Sequence, residues 1–87
     1  MVLTSMGKLW NLYKLHEELY LSLLENGSIA KRKLQIKPEK EVLIKAKKDH
    51  ARPIILNEEG KVVYIFKVNL TKGEGYRLKL SSKEREY

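Results

Sequence analysis

Few residues in this 87-residue chain are of types that do chemistry, and their spacing brings almost none of them together. The two histidines, His16 and His50, belong to no common motif, and a lone histidine among leucines and tyrosines, as at His16, is usually a core or interface residue. Glu58 and Glu59 are adjacent carboxylates at an expected hairpin tip. Solvent at such a tip is expected to keep both from the perturbed behaviour that general acid–base work in a desolvated site needs. There is no phosphate-binding loop, dinucleotide-binding glycine fingerprint, HExxH pair or nucleophile elbow, and Gly73-Glu74-Gly75 reads only as a turn. His50, Arg52, Tyr76 and Arg77 are residue types that a small endoribonuclease uses, but they are united by type and not by spacing. The expectation is a protein that is not an enzyme, with no catalytic residues, no cofactor, no metal and no small-molecule substrate. With no cysteine, disulfides and cysteine zinc sites are excluded.

Charge carries more information than catalytic chemistry. The chain has a formal net charge of +7. Residues 28–52 hold nine basic side chains and three acidic ones, so +6 of that charge lies in one segment. A polyanion rewards this concentration, because each phosphate neutralised releases counterions. Lys31, Arg32, Lys33, Lys37, Lys45, Lys47, Lys48 and Arg52 are the candidate nucleic-acid contacts, against the plainer alternative of a solvated basic face. The segment contains no Phe, Tyr or Trp, which favours contact with the phosphate backbone over base stacking and implies weak sequence preference. DNA and RNA fit equally well.

These side chains must be positioned by a small set of elements. The length points to one domain, 1–87, near the lower limit for an independent core. The stretch 5–25 reads as an amphipathic helix, opened by Thr4 or Ser5 and closed by Asn26-Gly27 at its C-terminus. Its apolar arc is wide: Leu9, Leu12, Tyr13, His16, Leu19, Tyr20, Leu23 and Leu24 form a stripe, with Trp10, Leu15 and Leu21 flanking it. Either the helix is sunk in the core, or Trp10, Tyr13 and Leu21 face a protein partner or a second copy. Lys14, His16, Glu17 and Glu18 interrupt the run, so it does not span a membrane, and the N-terminus lacks the pattern of a signal peptide. A cytoplasmic location is the default expectation. The abundance of Lys, Glu and Ile with a single Gln leans toward a thermophile.

Residues 28–52 read as strands, with Leu34 and Ile36, then Val42, Ile44 and Ala46, alternating with polar positions around a Lys37–Lys40 turn. Residues 53–56 and 61–70 read as a hairpin across Asn57–Gly60, and two apolar faces over Val62–Phe66 suggest a central strand. Tyr76, Leu78 and Leu80 alternate with Arg77 and Lys79 in a last strand, which brings the antiparallel strands to 53–81. Residues 82–87 form a charged tail expected to fray. The fold class is therefore α+β: an N-terminal amphipathic helix packed on an antiparallel β-meander of three to five strands, small and barrel-like, of the SH3 or OB kind.

An alternative assigns helices to 28–52. LLENGSI then ends one helix and enters a second, PEKEVLIKAKKDH takes the recognition-helix position, and PIILNEEGKVVYIF forms a hairpin. Over residues 19–66 this pattern resembles a winged helix-turn-helix, which implies a DNA-binding regulator with Lys40, Lys45, Lys47 and Lys48 in the major groove. It departs from that family where the second helix is about a turn short and where Asp49 replaces a large apolar residue. Two functional expectations result. One is a small basic protein that binds nucleic acid with little sequence specificity. The other is an accessory subunit of a polymerase or ribonucleoprotein that docks through the N-terminal helix.

Overall fold

A computed structural model describes residues 2–80, with side chains from Leu9 onward. The charged tail at 82–87 lies outside the described residues. One helix is followed by seven strands: α1 (Val2–Leu15), β1 (Tyr20–Glu25), β2 (Ser28–Ile29), β3 (Leu34–Gln35), β4 (Glu41–Lys45), β5 (Arg52–Leu56), β6 (Val62–Ile65) and β7 (Gly75–Lys79). The chain is thus small and α+β, with antiparallel pairing in every ladder. Five strands form an open sheet in the order β2-β1-β5-β6, with β3 also on β1, while β4 and β7 form a separate ribbon. The sheet does not close into a barrel. Because β1 pairs with β5 and β4 with β7, the order is also not a simple meander.

The helix expected over 5–25 is shorter and starts earlier. It is already under way at Val2, so Thr4 and Ser5 lie within it and not at its start, and it ends at Leu15. Leu19, Leu21 and Leu23 are fully buried at a period of two, and Tyr20–Leu24 pair in register with Leu56–Arg52 of β5. The leucine run satisfies both the helical and the strand periodicity, and tertiary pairing decides between them. Asn26 and Gly27, read from sequence as a helix terminus, are the two central residues of the β1–β2 hairpin. Both have positive φ (53° and 81°), as a type I′ turn requires.

Residues 28–52 contain β2, β3 and β4 and no helix, so the helical segments of the winged-helix pattern are not found there. β2 and β3 lie along the same edge of β1, opposite Leu24-Glu25 and Tyr20-Leu21 respectively. Between them residues 30–33 loop outward. The buried Ser22 hydroxyl holds this bulge, lying 3.1 Å from the Ala30 carbonyl and 2.8 Å from that of Arg32.

The strand covered on both faces is β5, where Ile54, Ile55 and Leu56 are all fully buried. The segment expected to be central, 62–66, is instead an edge strand with Val62 and Ile65 exposed. The Asn57–Gly60 turn joins the two as expected. The Asn57 side chain accepts the N–H groups of Glu59 and Lys61, and Gly60 takes φ 81°. The core combines Leu9 and Trp10 of α1, Leu19, Leu21 and Leu23, Ile55 of β5, Ile44 and Ala46 in and after β4, and Leu78 and Leu80 in and after β7. Helix, sheet and ribbon therefore share one apolar interior. No helix among the described residues is long and apolar enough to cross a membrane.

Candidate nucleic-acid interface

The basic residues divide between two ends of β1. At the C-terminal end, Glu25 is the organising group. Its Oε2 accepts from the Arg32 guanidinium at 3.0 Å and from the Lys47 backbone N–H at 3.0 Å. Burial pushes the Glu25 carboxyl up, but the Lys47 amide, the Arg32 hydrogen bond and charge, and nearby Lys48 together hold it below its ordinary value. Arg32 also donates to the Lys45 carbonyl, which ties the 30–33 bulge to the end of β4. Arg32 is therefore a structural clasp whose charge is already matched.

The residues fixed by this clasp are exposed. Lys45, Lys47 and Lys48 follow one another at the end of β4, and Arg52 sits opposite Leu24 in the β1–β5 ladder. None of the four has a carboxylate within ion-pairing distance among the described residues. The outer face of the ribbon extends the positive surface. Lys45, Leu43 and Glu41 of β4 face outward opposite Gly75, Arg77 and Lys79 of β7. Arg77 and Lys79 therefore join Lys45, although sequence separation concealed this. The signal that could have found them is the strict alternation of Tyr76, Leu78 and Leu80 with Arg77 and Lys79.

Lys33 lies at the other end of β1. Its ammonium is near Gly60 in the β5–β6 turn, 3.8 Å from where a Cβ would stand. Because β1 has six residues, the two ends are roughly 17–20 Å apart. Lys37 precedes Pro38, which bridges to Leu80, and it is exposed like Lys31 on the bulge. The eight candidates consequently do not form one patch. Lys45, Lys47, Lys48 and Arg52 sit at the Glu25 end, Arg32 is internal to the clasp, and Lys33 belongs to the opposite end.

Beside the Glu25 cluster lies a groove of about 320 Å³ lined by Leu24, Asn26, Gly27, Asp49, His50, Arg52 and Asn69. The β1–β2 turn forms one wall and the Asp49–Arg52 segment the other. Asp49 Oδ1 accepts the Lys72 N–H at 2.8 Å, and Ala51 exchanges two backbone hydrogen bonds with Leu70. His50 holds a left-handed backbone at φ 62°. Of the four residues of nuclease type, His50 and Arg52 line this groove. Tyr76 is half-buried with its ring 5.3 Å from that of Phe66, and Arg77 is on the outer ribbon.

The residues expected at a partner surface sit elsewhere than anticipated. Trp10 and Leu21 are core residues at 8% and 0% exposure, because α1 lies on the core and Leu21 points into it from β1. Tyr13 is half-buried, with its ring 5.8 Å from that of Trp10. The exposed apolar group is different: Leu15, at 77% exposure, closes α1 beside a second groove of about 230 Å³ with Leu12, Val63 and Tyr64. His16, just past the helix, lies 3.7 Å from Glu58. The described residues contain no cluster of three or more His, Cys, Asp or Glu side chains able to hold a metal ion. Comparison with family models, with curated proteins and with solved structures finds no match to this chain.

Proposed function

We propose that the chain binds nucleic acid through the phosphate backbone, with little sequence preference and no chemical step. The observation that carries this reading is the cluster of Lys45, Lys47, Lys48 and Arg52, four exposed cations without carboxylate partners, brought to one end of the molecule by the Glu25–Arg32 clasp on the Lys45–Lys47 backbone and by the pairing of Arg52 with Leu24. Cations held at fixed positions but left unneutralised suit phosphates, which release counterions on contact. Arg77 and Lys79 continue the positive surface along the ribbon. The outward-facing positions of the ribbon (Glu41, Leu43, Lys45, Gly75, Arg77 and Lys79) carry no aromatic side chain, which suits backbone contact better than a stacking platform.

Titration of labelled single- and double-stranded DNA and RNA across a salt series tests the reading. The expected result is affinity that falls steeply with salt and varies little between sequences, with the slope counting the phosphates neutralised. Absence of binding at low salt would reduce the cluster to a solvated face.

A second reading, an accessory subunit that docks on a protein, has its own support. Leu15, Val62, Ile65 and Val68 are exposed apolar residues near the end of α1 and on or just beyond the edge strand β6. Such an edge invites strand pairing or apolar cover. The docking face would then be Leu15 and β6 in place of Trp10 and Leu21. Replacement of Leu15 by Lys would abolish capture of such a partner while leaving salt-dependent nucleic-acid binding intact.

A further inference from the structure

The groove between the β1–β2 turn and the Asp49–Arg52 segment has properties that a general phosphate surface does not need. Four of its polar side chains, Asn26, His50, Arg52 and Asn69, are exposed and make no hydrogen bond to the described protein, so they can exchange water for a ligand, whereas Asp49 is committed to the Lys72 amide. Two are carboxamides, each offering both a donor and an acceptor, and two are nitrogen-rich groups suited to phosphate oxygens. Leu24, half-buried, supplies an apolar surface within the same groove. The volume of about 320 Å³ is at the small end of ligand sites and suits a single unit more than an extended chain.

The backbone around this groove is unusual as well. Asn26, Gly27 and His50 all have positive φ, and all three line the groove. The turn accounts for Asn26 and Gly27, and histidine is among the residues that enter the left-handed region most readily, so at His50 the conformation shapes the groove wall without marking it as a site by itself; Glu39, outside the groove, also has φ 63°. The groove adjoins the chain of Lys47 and Lys48, so a strand entering it would carry its neighbouring phosphates past those lysines.

We propose that this groove seats one unpaired nucleotide of a single-stranded nucleic acid. The phosphate lies against Arg52 and His50, the base edge against Asn26 and Asn69, and the base face against Leu24. The inference rests on the nucleic-acid reading and adds a strand preference to it. Bases in a duplex have their pairing edges occupied and their faces stacked, so they cannot present themselves to carboxamides in a groove of this size, whereas unpaired bases can.

The test compares the wild type with Asn69→Ala and His50→Gly, binding short labelled single strands of DNA and RNA and a duplex of matched length. Glycine at position 50 removes the imidazole while accepting the left-handed backbone. The expected result is a loss of single-strand affinity of about fivefold for Asn69→Ala, the scale of a neutral hydrogen bond, and of about tenfold or more for His50→Gly, whose partner is a charged phosphate, with duplex affinity unchanged. Loss on either DNA or RNA carries the inference, and the tighter strand identifies the sugar. If the wild type binds but both variants bind single strands as well as it does, the groove is overturned while the phosphate-binding reading stands. Equal losses on single strand and duplex also overturn it, because the groove would then belong to a general phosphate surface. If the wild type binds neither, both inferences fall. Circular dichroism spectra that match the wild type show that each variant is folded.

Discussion

Glu25 and Arg32 meet at 3.0 Å across the end of β1 and the bulge that follows β2, and this contact decides where the basic segment goes. The Glu25 carboxylate is only 11% exposed and also accepts the Lys47 amide, so one side chain anchors the bulge and the β4 terminus together. Glu25→Ala would leave the Arg32 guanidinium and the Lys47 amide without their acceptor. We expect a loss of about 1–3 kcal/mol in urea unfolding, the range for polar groups left without their partner. Glu25→Gln, which keeps an acceptor, should lose less. An alanine variant as stable as the wild type would show that the clasp is ornamental.

Acid should weaken the same clasp. Glu25 has a folded pKa below its ordinary 4.5, as have Glu58 and Glu74. For Glu58 the main cause is its own backbone amide, opposed by desolvation and then reinforced by the Glu18 amide, His16 and the Glu17 amide. For Glu74 it is the backbone N–H of Thr71, at 2.7 Å, followed by the Thr71 hydroxyl. A depressed carboxylate contributes stability that is fully present above the unfolded value and is lost as pH falls through the folded one. The melting temperature should therefore hold as pH falls toward the ordinary carboxylate value and decline below it. In Glu25→Gln the decline should be shallower, because one of the three groups no longer titrates. An identical acid profile for that variant would remove Glu25 from the account.

Two glycines separate backbone strain from steric crowding. Gly27 has φ +81° and nothing within 4 Å of a would-be Cβ, so Gly27→Ala costs through conformation alone, about 1–2 kcal/mol. Gly75 carries no such φ, but a Cβ there would lie 2.9 Å from Leu43 Cδ1. Leu43 is 42% exposed and its tip can swing away, so Gly75→Ala should cost under about 1 kcal/mol. Thermal unfolding of the pair checks the order, and a reversed order would contradict the type I′ assignment at Asn26-Gly27.

The leucine run shows what could be read from sequence and what could not. Leu9, Leu12 and Tyr13 are correctly placed on one helical face by spacing alone, as are the alternating Ile44 and Ala46, or Leu78 and Leu80. The hairpin at Asn57–Gly60 was also legible, because its residues suit one turn. Leu19, Leu21 and Leu23 were not, since leucine favours helices and their spacing fits both periods. The decisive local signal was Asn26-Gly27, a stronger mark of a two-residue hairpin than of a helix end. The division of the basic residues had no signal at all. It follows from Ser22 holding a bulge and Glu25 capturing Arg32, and both are contacts between distant strands. The groove likewise joins Asn26, His50 and Asn69, which no spacing rule connects.

Truncations along that run distinguish a strand from a helix. Leu21→Ala removes a fully buried side chain and should cost about 2–5 kcal/mol, whereas Leu15→Ala, on a residue left largely in solvent, should stay within about 0.5 kcal/mol. A single helix over 5–25 would put both on its flanks and give them similar costs. Urea unfolding of the two variants therefore measures where α1 ends.

Charge reversal measures which basic residues share a surface. Lys47→Glu with Lys48→Glu alters the cluster at the Glu25 end, while Lys33→Glu alters the opposite end beside Gly60. If nucleic acid binds at the Glu25 end, the double variant should lose affinity and reduce the magnitude of the log–log salt slope by about 1.4–1.8, since each phosphate contact contributes roughly 0.7–0.9. Lys33→Glu should weaken binding only through the net charge and leave the slope within about half a contact. Equal slopes for the two variants would mean that the nucleic acid spans both ends of β1, and the site would have to be redrawn along the 30–33 bulge, which runs from the Glu25 clasp to Lys33.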